Sequence, residues 1–434
     1  MTTLGEIRKL LTQYRGLRRE IYVLCFGRVV TNLGSMVWPM LTLILSRKLG
    51  MNASTIALFM AASGVVMLPA NLLGGRLADR CNKKRLIILF DTISVICYVA
   101  CAAVPMSLAS VGLMLVAAVF QNMEWPSYNA LIAELSTTKQ RESAFSLSYL
   151  CANLGLVLSP TIAGLLFEHY LWLTFLISGL SIACSTVLIF FLIRDLTPSV
   201  DDSEAATYQE SRTGLSLMNI LRENRTVVLF VIAAALYSAA YSQYNYLMPL
   251  SMSTVHGERG AVLFGTVSSL NCIVVVLFTP LLTRLFSKLH EPARYLIGLL
   301  FIIAGYGVFL ILLGFIPAYY MAILLFTWGE IVVTTSEGPY LSTRIPASHR
   351  GRINAFSSLL SGFSYAALNL GVGWLYDHFK PVFAWIPVMG CLLLAVAMGI
   401  VLIRTDRVRY PTLYAKADAD ASSEDRVTTK REGT

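Results

Sequence analysis

Charged side chains are scarce in this sequence: Asp, Glu, Lys and Arg make up 14% of its 434 residues, against 56% hydrophobic ones. With a mean hydropathy of +0.66, that balance excludes a soluble globular chain, in which about a quarter of the residues are charged. The bilayer is the expected solvent. Histidine is rarer still. His169, His256, His290, His349 and His378 are all assigned to loops, and neither a Ser-His-Asp arrangement nor metal-ligand spacing occurs. An enzyme, a bound metal or another cofactor is therefore not expected. No G-x-x-x-x-G-K-[ST] phosphate loop is present, so ATP is not the expected energy source. Of the eight cysteines only Cys81 falls in a loop, and the other seven read as small apolar helix residues, which leaves no disulfide to expect. The first 20 residues are polar and basic, and the apolar run after them is too long for a signal-peptide core, so the first helix is expected to be retained.

What the chain has in abundance is apolar runs of roughly 20 residues, the length that crosses a bilayer as a helix. Six are read near residues 21–45, 53–75, 86–104, 111–134, 143–167 and 171–193, and six more near 226–252, 261–283, 294–316, 319–343, 353–376 and 381–403. The expected fold is an all-α membrane protein with twelve transmembrane helices in two pseudo-symmetric six-helix bundles. Basic loops resist translocation. With both termini inside, all but five of the 34 Lys and Arg residues fall on the cytoplasmic side; the exceptions are Arg47, Lys48, Arg259 and Lys380 in external loops and Arg28 within a span. The net charge of +9 is thus a topology signal for a multi-pass protein of the plasma membrane, and no nucleic-acid partner is needed to explain it.

The halves repeat. Gly164-Leu-Leu-Phe-Glu-His-Tyr170 returns as Gly373-Trp-Leu-Tyr-Asp-His-Phe379, and Ser143-Ala-Phe-Ser146 returns as Asn354-Ala-Phe-Ser357, at an offset of about 210 residues. The domain expectation is a cytoplasmic N-terminal segment (1–20), a first bundle (21–193), a cytoplasmic linker (194–225), a second bundle (226–403) and a disordered cytoplasmic tail (404–434). Leu215, Met218 and Leu221 near the end of the linker have the spacing of a short amphipathic helix. The tail alternates charge with Ala, Ser and Thr and has no apolar pattern to bury.

After the second span comes Gly74-Gly-Arg-Leu-Ala-Asp-Arg-Cys-Asn-Lys-Lys-Arg85, read as a two-glycine turn, an acid and a basic run. It resembles the G-x-L-a-D-r-x-g-r-K loop of the major facilitator superfamily: Gly75, Asp79, Arg80 and Lys84 match, and Asn82 replaces a glycine. The counterpart Thr283-Arg-Leu-Phe-Ser-Lys288 lacks the aspartate. The resemblance implies a gating role, with Asp79 facing the start of the eleventh span near Gly351, where a helix N-terminus favours negative charge. Alternatively the loop serves topology alone. In the fifth span, Gly155-Leu-Val-Leu-Ser-Pro-Thr-Ile-Ala-Gly164 is similar to the G-x-x-x-G-P-x-x-G-G element of the superfamily's exporter branch, with Ser159 in place of a glycine. Gly155, Ser159, Pro160 and Gly164 are its hinge and packing candidates, because small residues allow close approach and proline removes a backbone hydrogen bond. Packing alone accounts equally for such residues.

A carboxylate at the bilayer centre costs about 2.5 to 3.5 kcal/mol, which makes Glu124 in the fourth span and Glu330 and Glu337 in the tenth the proton-coupling candidates. The resemblance places the first, fourth, seventh and tenth spans around a cavity, and Gly329-Glu-Ile-Val-Val333 looks like a segment of proton-driven multidrug exporters. Glu330 is the favoured coupling acid, assisted by Glu337 or Glu124. Each acid alternatively is a protonated, hydrogen-bonded packing residue. Arg28 either reaches back to the cytoplasm or pairs with Glu124. Asn32, Gln121, Trp125 and Tyr128 complete one set of cavity candidates, and Tyr237, Tyr241, Tyr244 and Asn245 another, the tyrosines at i, i+4 and i+7 offering an aromatic face for cations or ordinary packing. Asp91 is assigned no role, being close to the inner surface.

The expected activity is proton-coupled antiport exporting amphipathic or cationic small molecules by alternating access. The partners are a small-molecule substrate, protons and the lipid bilayer, and the chain is expected to act as a monomer. A proton-coupled transporter of one metabolite and a transporter-like receptor or scaffold are the alternatives. Asp79→Asn is expected to shift the population toward inward opening; an unchanged distribution of distances between spin labels on the two halves contradicts the latch.

Overall fold

The computed structural model describes residues 14–137, 140–193, 224–345, 347–411 and 414, with the side chains of 142 and 347–352 outside that set. The amphipathic helix expected around Leu215, Met218 and Leu221 lies outside the described residues, as do most of the N-terminal segment and the tail beyond 414. Twelve helical segments long and apolar enough to cross a bilayer occur among the described residues: Arg19–Lys48, Ala53–Arg80, Lys83–Ala103, Leu108–Leu135, Ser143–Leu166, Leu171–Leu192, Arg225–His256, Arg259–Leu285, Glu291–Ile311, Ile316–Arg344, Ile353–His378 and Pro381–Arg409. The expected all-α, twelve-span fold is what the chain forms. Leu72, Ile96, Phe191, Leu277, Phe363 and Ile386 are exposed on these helices, as lipid-facing positions must be. His256, His349 and His378 prove to be helical.

Two compact units emerge from the packing: Met1–Asp202 with Met248–Val276, and Ser203–Leu247 with Leu277–Thr434. The division does not follow the linker. Within the first unit, a Cβ added to Gly265 would stand 2.3 Å from the Pro160 carbonyl oxygen, one on Gly164 would stand 2.6 Å from that of Ala261, and Thr161 and Ser269 share a hydroxyl hydrogen bond of 2.7 Å. Small residues thus let the start of the eighth span close onto the fifth. The fifth span itself is interrupted at Val157 and Leu158, just ahead of Pro160; its helical parts are Arg141–Leu156 and Ser159–Leu166. Gly155 abuts the Val29 carbonyl, where a Cβ would approach to 2.5 Å, and Ser159 is fully buried.

Spans one and seven are broken at corresponding places. The first runs Arg19–Leu33, stops at Gly34, and resumes as Val37–Leu43; the seventh runs Arg225–Tyr241, tightens to a 3-10 turn at Ser242–Tyr244, and resumes as Leu247–His256. Pro39 and Pro249 lie 210 positions apart, the offset of the internal repeat, each the third residue of its resumed helix. There a missing N–H leaves no intrahelical acceptor unpaired. The interrupted backbone is met by side chains, as a water-poor interior requires. Ser178 Oγ donates to the Gly34 carbonyl (2.5 Å), the Tyr306 hydroxyl donates to Ala240 O (3.0 Å), and the buried Gln243 amide donates to Ala239 O (3.2 Å) and is itself held by Asn369 Oδ1 (2.6 Å).

Two expectations need correction. The Gly74–Gly75 pair is not a turn: the helix continues to Arg80, and the reversal occurs at Cys81 and Asn82. Asn82, which replaces the motif's glycine, caps the third span by accepting from Arg85 N (3.1 Å). Nor does order end at residue 404. The last helix extends to Arg409 because Asp406 is fully buried against Arg344, which reaches it through Nε (2.8 Å) and Nη2 (2.6 Å). Tyr340 and Tyr414 donate to the same carboxylate (3.2 and 2.8 Å). Burial first, and the Asp406 carboxylate second, hold the Tyr414 phenol above its ordinary range.

The two glycines of the motif differ sharply. A Cβ on Gly74 would lie 2.4 Å from Met123 O on the fourth span, whereas Gly75 faces open space. Gly74→Ala is expected to cost about 1 to 3 kcal/mol through overpacking, and Gly75→Ala to be neutral or slightly stabilising. Equal thermal unfolding midpoints for the two variants in detergent would contradict this packing.

Candidate functional site

The first unit encloses a cavity of about 190 Å³ beside the break in the first span, with Gly34 and Ser35 in its wall. Arg28, Asn32, Gln121, Glu124, Trp125 and Tyr128, all assigned to a cavity from the sequence, are brought together here. Asp91, which the sequence reading passed over, joins them. Its position, nine residues into the helix Lys83–Ala103, lies about 12 Å along the axis, deep enough to reach the cavity. Arg28, Asp91 and Glu124 are 7%, 8% and 8% exposed, so the three charges are removed from bulk solvent.

Their pairing is unequal. Asp91 Oδ2 accepts from the Thr186 hydroxyl (2.7 Å). Glu124 makes no hydrogen bond or ion pair among the described residues and has Arg28 only within longer electrostatic reach. Arg28 neither reaches back to the cytoplasm nor binds Glu124: its guanidinium lies over the rings of Trp125 (4.2 Å) and Tyr128 (4.5 Å), both on the helix that carries Glu124. Cation–π contacts of this kind contribute about 0.5 to 2 kcal/mol, rising with desolvation. The Tyr128 hydroxyl donates to Leu24 O, and Asn32 Nδ2 donates to Ala152 O (3.0 Å), fastening the walls to the first and fifth spans. Tyr128 and Ile189 also belong to a buried cluster with Ile21, Leu24, Ile87 and Ile132, which makes one side of the cavity continuous with the core.

In the second unit the acids stand beside the other helix break. Glu330 Oε1 accepts from Tyr241 (2.8 Å), the last residue before the 3-10 turn. Glu337 is half-buried, within electrostatic reach of Tyr237 and Tyr295. The sequence element Glu337-Gly338-Pro339 repeats Glu124-Trp125-Pro126 with an offset near that of the halves, so Glu337 is the internal counterpart of Glu124. The aromatic face of the seventh span is mostly spent on packing. Tyr237 and Tyr244 are buried, Tyr244 and Tyr241 stack on Phe326 at 5.3 and 5.4 Å between ring centres, and Asn245 is exposed. Gly329, next to Glu330, is needed for a close crossing with the ninth span, since a Cβ there would meet Gly298 O at 2.6 Å.

The gating residues do not join either acid cluster. Asp79 and Arg80 are exposed at the end of the second span, and Lys84 Nζ lies 5.6 Å from the Phe190 ring centre. The expected partner of Asp79 near Gly351 falls among the residues whose side chains lie outside the described set. No group of three or more His, Cys, Asp or Glu residues arranged to hold a metal ion occurs among the described residues.

Among known proteins, the family profile of the Major Facilitator Superfamily matches residues 24–367. A Na(+), Li(+), K(+)/H(+) antiporter of Planococcus maritimus is 25% identical over 349 residues, 75% of this chain and 81% of that protein. The uncharacterized MFS-type transporter YqjV of Bacillus subtilis (strain 168) is 23% identical over 320 residues, covering 73% and 75%. Among solved structures, a POT family transporter in complex with a thioalcohol-conjugated peptide superposes with a TM-score of 0.71 at 15% identity, covering 90% of this chain and 97% of that one. The nucleoside transporter NupG gives 0.69 at 13% identity, covering 89% and 99%. At such identities the superpositions speak for the fold alone.

The Gln243–Asn369 bond that closes the seventh-span break is fully buried. Asn369→Leu leaves the amide without that acceptor and is expected to lower stability by about 1 to 3 kcal/mol. An unaltered unfolding midpoint would remove this bond from the account of the break.

Proposed function

The chain belongs to the Major Facilitator Superfamily, and on that premise we propose that it is a proton-coupled antiporter exporting cations across the plasma membrane by alternating access. The observation that carries the reading is the coincidence of intramembrane acids, buried in the first half and half-buried in the second, with broken helices in both halves. Asp91 and Glu124 share a cavity with the Gly34 break, and Glu330 is bonded to the residue that precedes the Ser242–Tyr244 turn. Paired interruptions at corresponding positions of two repeats are where transporter folds hold substrate and coupling ions. An ionisable group costs too much in the membrane to be retained without a use or a partner.

Exchange follows from competition. A carboxylate that must be neutral or paired in a dry interior accepts either a proton or a cation, and each lowers the affinity for the other by the same factor. Loaded with cation on one side and with proton on the other, such a site couples the two gradients. Exchange of cations for protons agrees with the relative named as a Na(+), Li(+), K(+)/H(+) antiporter, and lipophilic organic cations are a second substrate class of the same charge. Glu330 is the proposed coupling acid, assisted by Glu337 and Glu124. The orientation is that of the lysine and arginine distribution, with both termini cytoplasmic.

Everted membrane vesicles acidified by respiration test the reading. Addition of LiCl, NaCl, KCl or a lipophilic cationic dye is expected to dissipate the pH gradient for at least one of them, and Glu330→Gln to abolish that response in protein that is still folded and inserted. A wild-type protein that responds to no cation contradicts antiport, and a normal response in Glu330→Gln removes Glu330 from the coupling.

A further inference from the structure

The first-unit cavity has an unusual inventory. Two carboxylates and one guanidinium line the same small space, yet the guanidinium rests on aromatic rings and one carboxylate has no hydrogen-bonding partner. Opposite charges sharing a desolvated pocket attract strongly. Their separation therefore needs a balancing contact, and Trp125 and Tyr128 supply it on the arginine's side. Among the described residues no hydrogen bond or ion pair supplies it for Glu124, which has only the longer-range field of Arg28.

We infer that Asp91 and Glu124 form a binding site for one small monovalent cation, and that Arg28 is a resident counter-cation that competes with it. With a cation or a proton on the carboxylates, Arg28 rests on the two rings, the arrangement described above. When the cation leaves, the guanidinium moves onto the carboxylates or a proton takes the cation's place. The inference rests on the antiport reading and assigns it a site in the first unit.

Charge and size select the ligand class. Two ionised carboxylates against one arginine leave one net negative charge, which a single proton or monovalent cation neutralises and a divalent ion would exceed. The cavity of about 190 Å³ falls below the roughly 300 to 1,000 Å³ of drug-sized sites. It has room for several water molecules, enough for an alkali ion with part of its hydration or for a small ammonium compound. Oxygen donors suited to a hard cation are at hand in Ser178, Ser185 and Gln121. The ionisable groups facing the pair are Arg28 and Cys25 from the first span, Tyr98 from the third and Tyr128 from the fourth; the sixth contributes the Thr186 hydroxyl. None of them except Arg28 brings positive charge.

Trp125 makes the movement observable. Purified full-length protein in detergent is titrated at constant ionic strength with LiCl, NaCl, KCl or tetramethylammonium chloride while tryptophan fluorescence is followed, with Trp125→Phe identifying the signal. A response to alkali salts alone identifies a metal-ion site, and a response to tetramethylammonium alone an organic-ammonium site; no response to any of the four overturns the inference. By calorimetric titration, which needs no movement of Arg28 for its signal, Asp91→Asn and Glu124→Gln are each expected to weaken binding about fivefold or more, whereas Arg28→Met, which removes the competitor, is expected to tighten it by a similar factor. Weaker or unchanged binding in Arg28→Met overturns the competition. Should that variant fail to fold, Trp125→Leu, with binding followed by calorimetric titration because the reporter ring is gone, gives the converse test. Losing one ring is expected to drive Arg28 onto the acids and weaken cation binding, and unchanged affinity overturns the proposal. If vesicle exchange persists while Asp91→Asn and Glu124→Gln bind cation normally, this site falls and the antiport reading stands; if the unaltered protein exchanges no cation, the antiport reading itself falls.

Discussion

The structure turns on how charge is held where water is absent. An ionised group buried away from water is costly, about 2.5 to 3.5 kcal/mol at the bilayer centre, and the chain meets the cost of buried charge in two opposite ways. In the second unit, Arg344 and Asp406 are bonded through both guanidinium and carboxylate edges, with two tyrosine hydroxyls completing the acceptor's shell. That pair is closed and ties the tenth span to the twelfth. In the first unit, Arg28 and Glu124 are almost as deeply buried, yet neither satisfies the other. A fully satisfied pair has no affinity left for a solute. An unsatisfied one has, and the difference separates a structural ion pair from a site.

Backbone geometry places that site. A continuous helix presents only side chains to a cavity, because its carbonyls and amides are consumed internally. Interrupting the first span at Gly34 and the seventh at Ser242 releases polar backbone near the acids and requires side-chain donors such as Ser178 and Gln243 to stabilise the break. At Gly74, Gly155 and Gly329 the absence of a side chain lets neighbouring helices approach closely.

Much of this was legible in the sequence, and the limits have physical causes. Span number follows from hydropathy because the bilayer enforces it, and the repeat revealed two related halves before any coordinates. The first-unit residues are linked in the sequence by their intramembrane charge, by the helix face that Gln121, Glu124 and Tyr128 share and by the resemblance that puts the first and fourth spans at a cavity, and the structure brings them to one cavity. Asp91 was missed because depth along a span was judged by distance from a basic loop, whereas the third helix begins at Lys83 and carries the acid two turns inward. Tyr237 and Tyr244 were overvalued, since an aromatic stripe has the same spacing whether it faces a cavity or, as here, Phe326 and Tyr295. Gly74 and Gly75 were read as a turn because paired glycines commonly mark one; contact with Met123 backbone was the reason for the first of them. The equivalence of Glu337 and Glu124 was visible in the shared acid-x-Pro element but emerged only once both prolines were seen within long helices.

The central claim is that a proton and a solute cation occupy the same desolvated carboxylates in turn. Calorimetric titration of the purified protein with a cation it exchanges, repeated in buffers of different ionisation enthalpy, counts protons released on binding. The account predicts a net release of protons into the buffer that diminishes as the pH is raised and the site is already deprotonated. Cation binding with no proton released at any pH would contradict it.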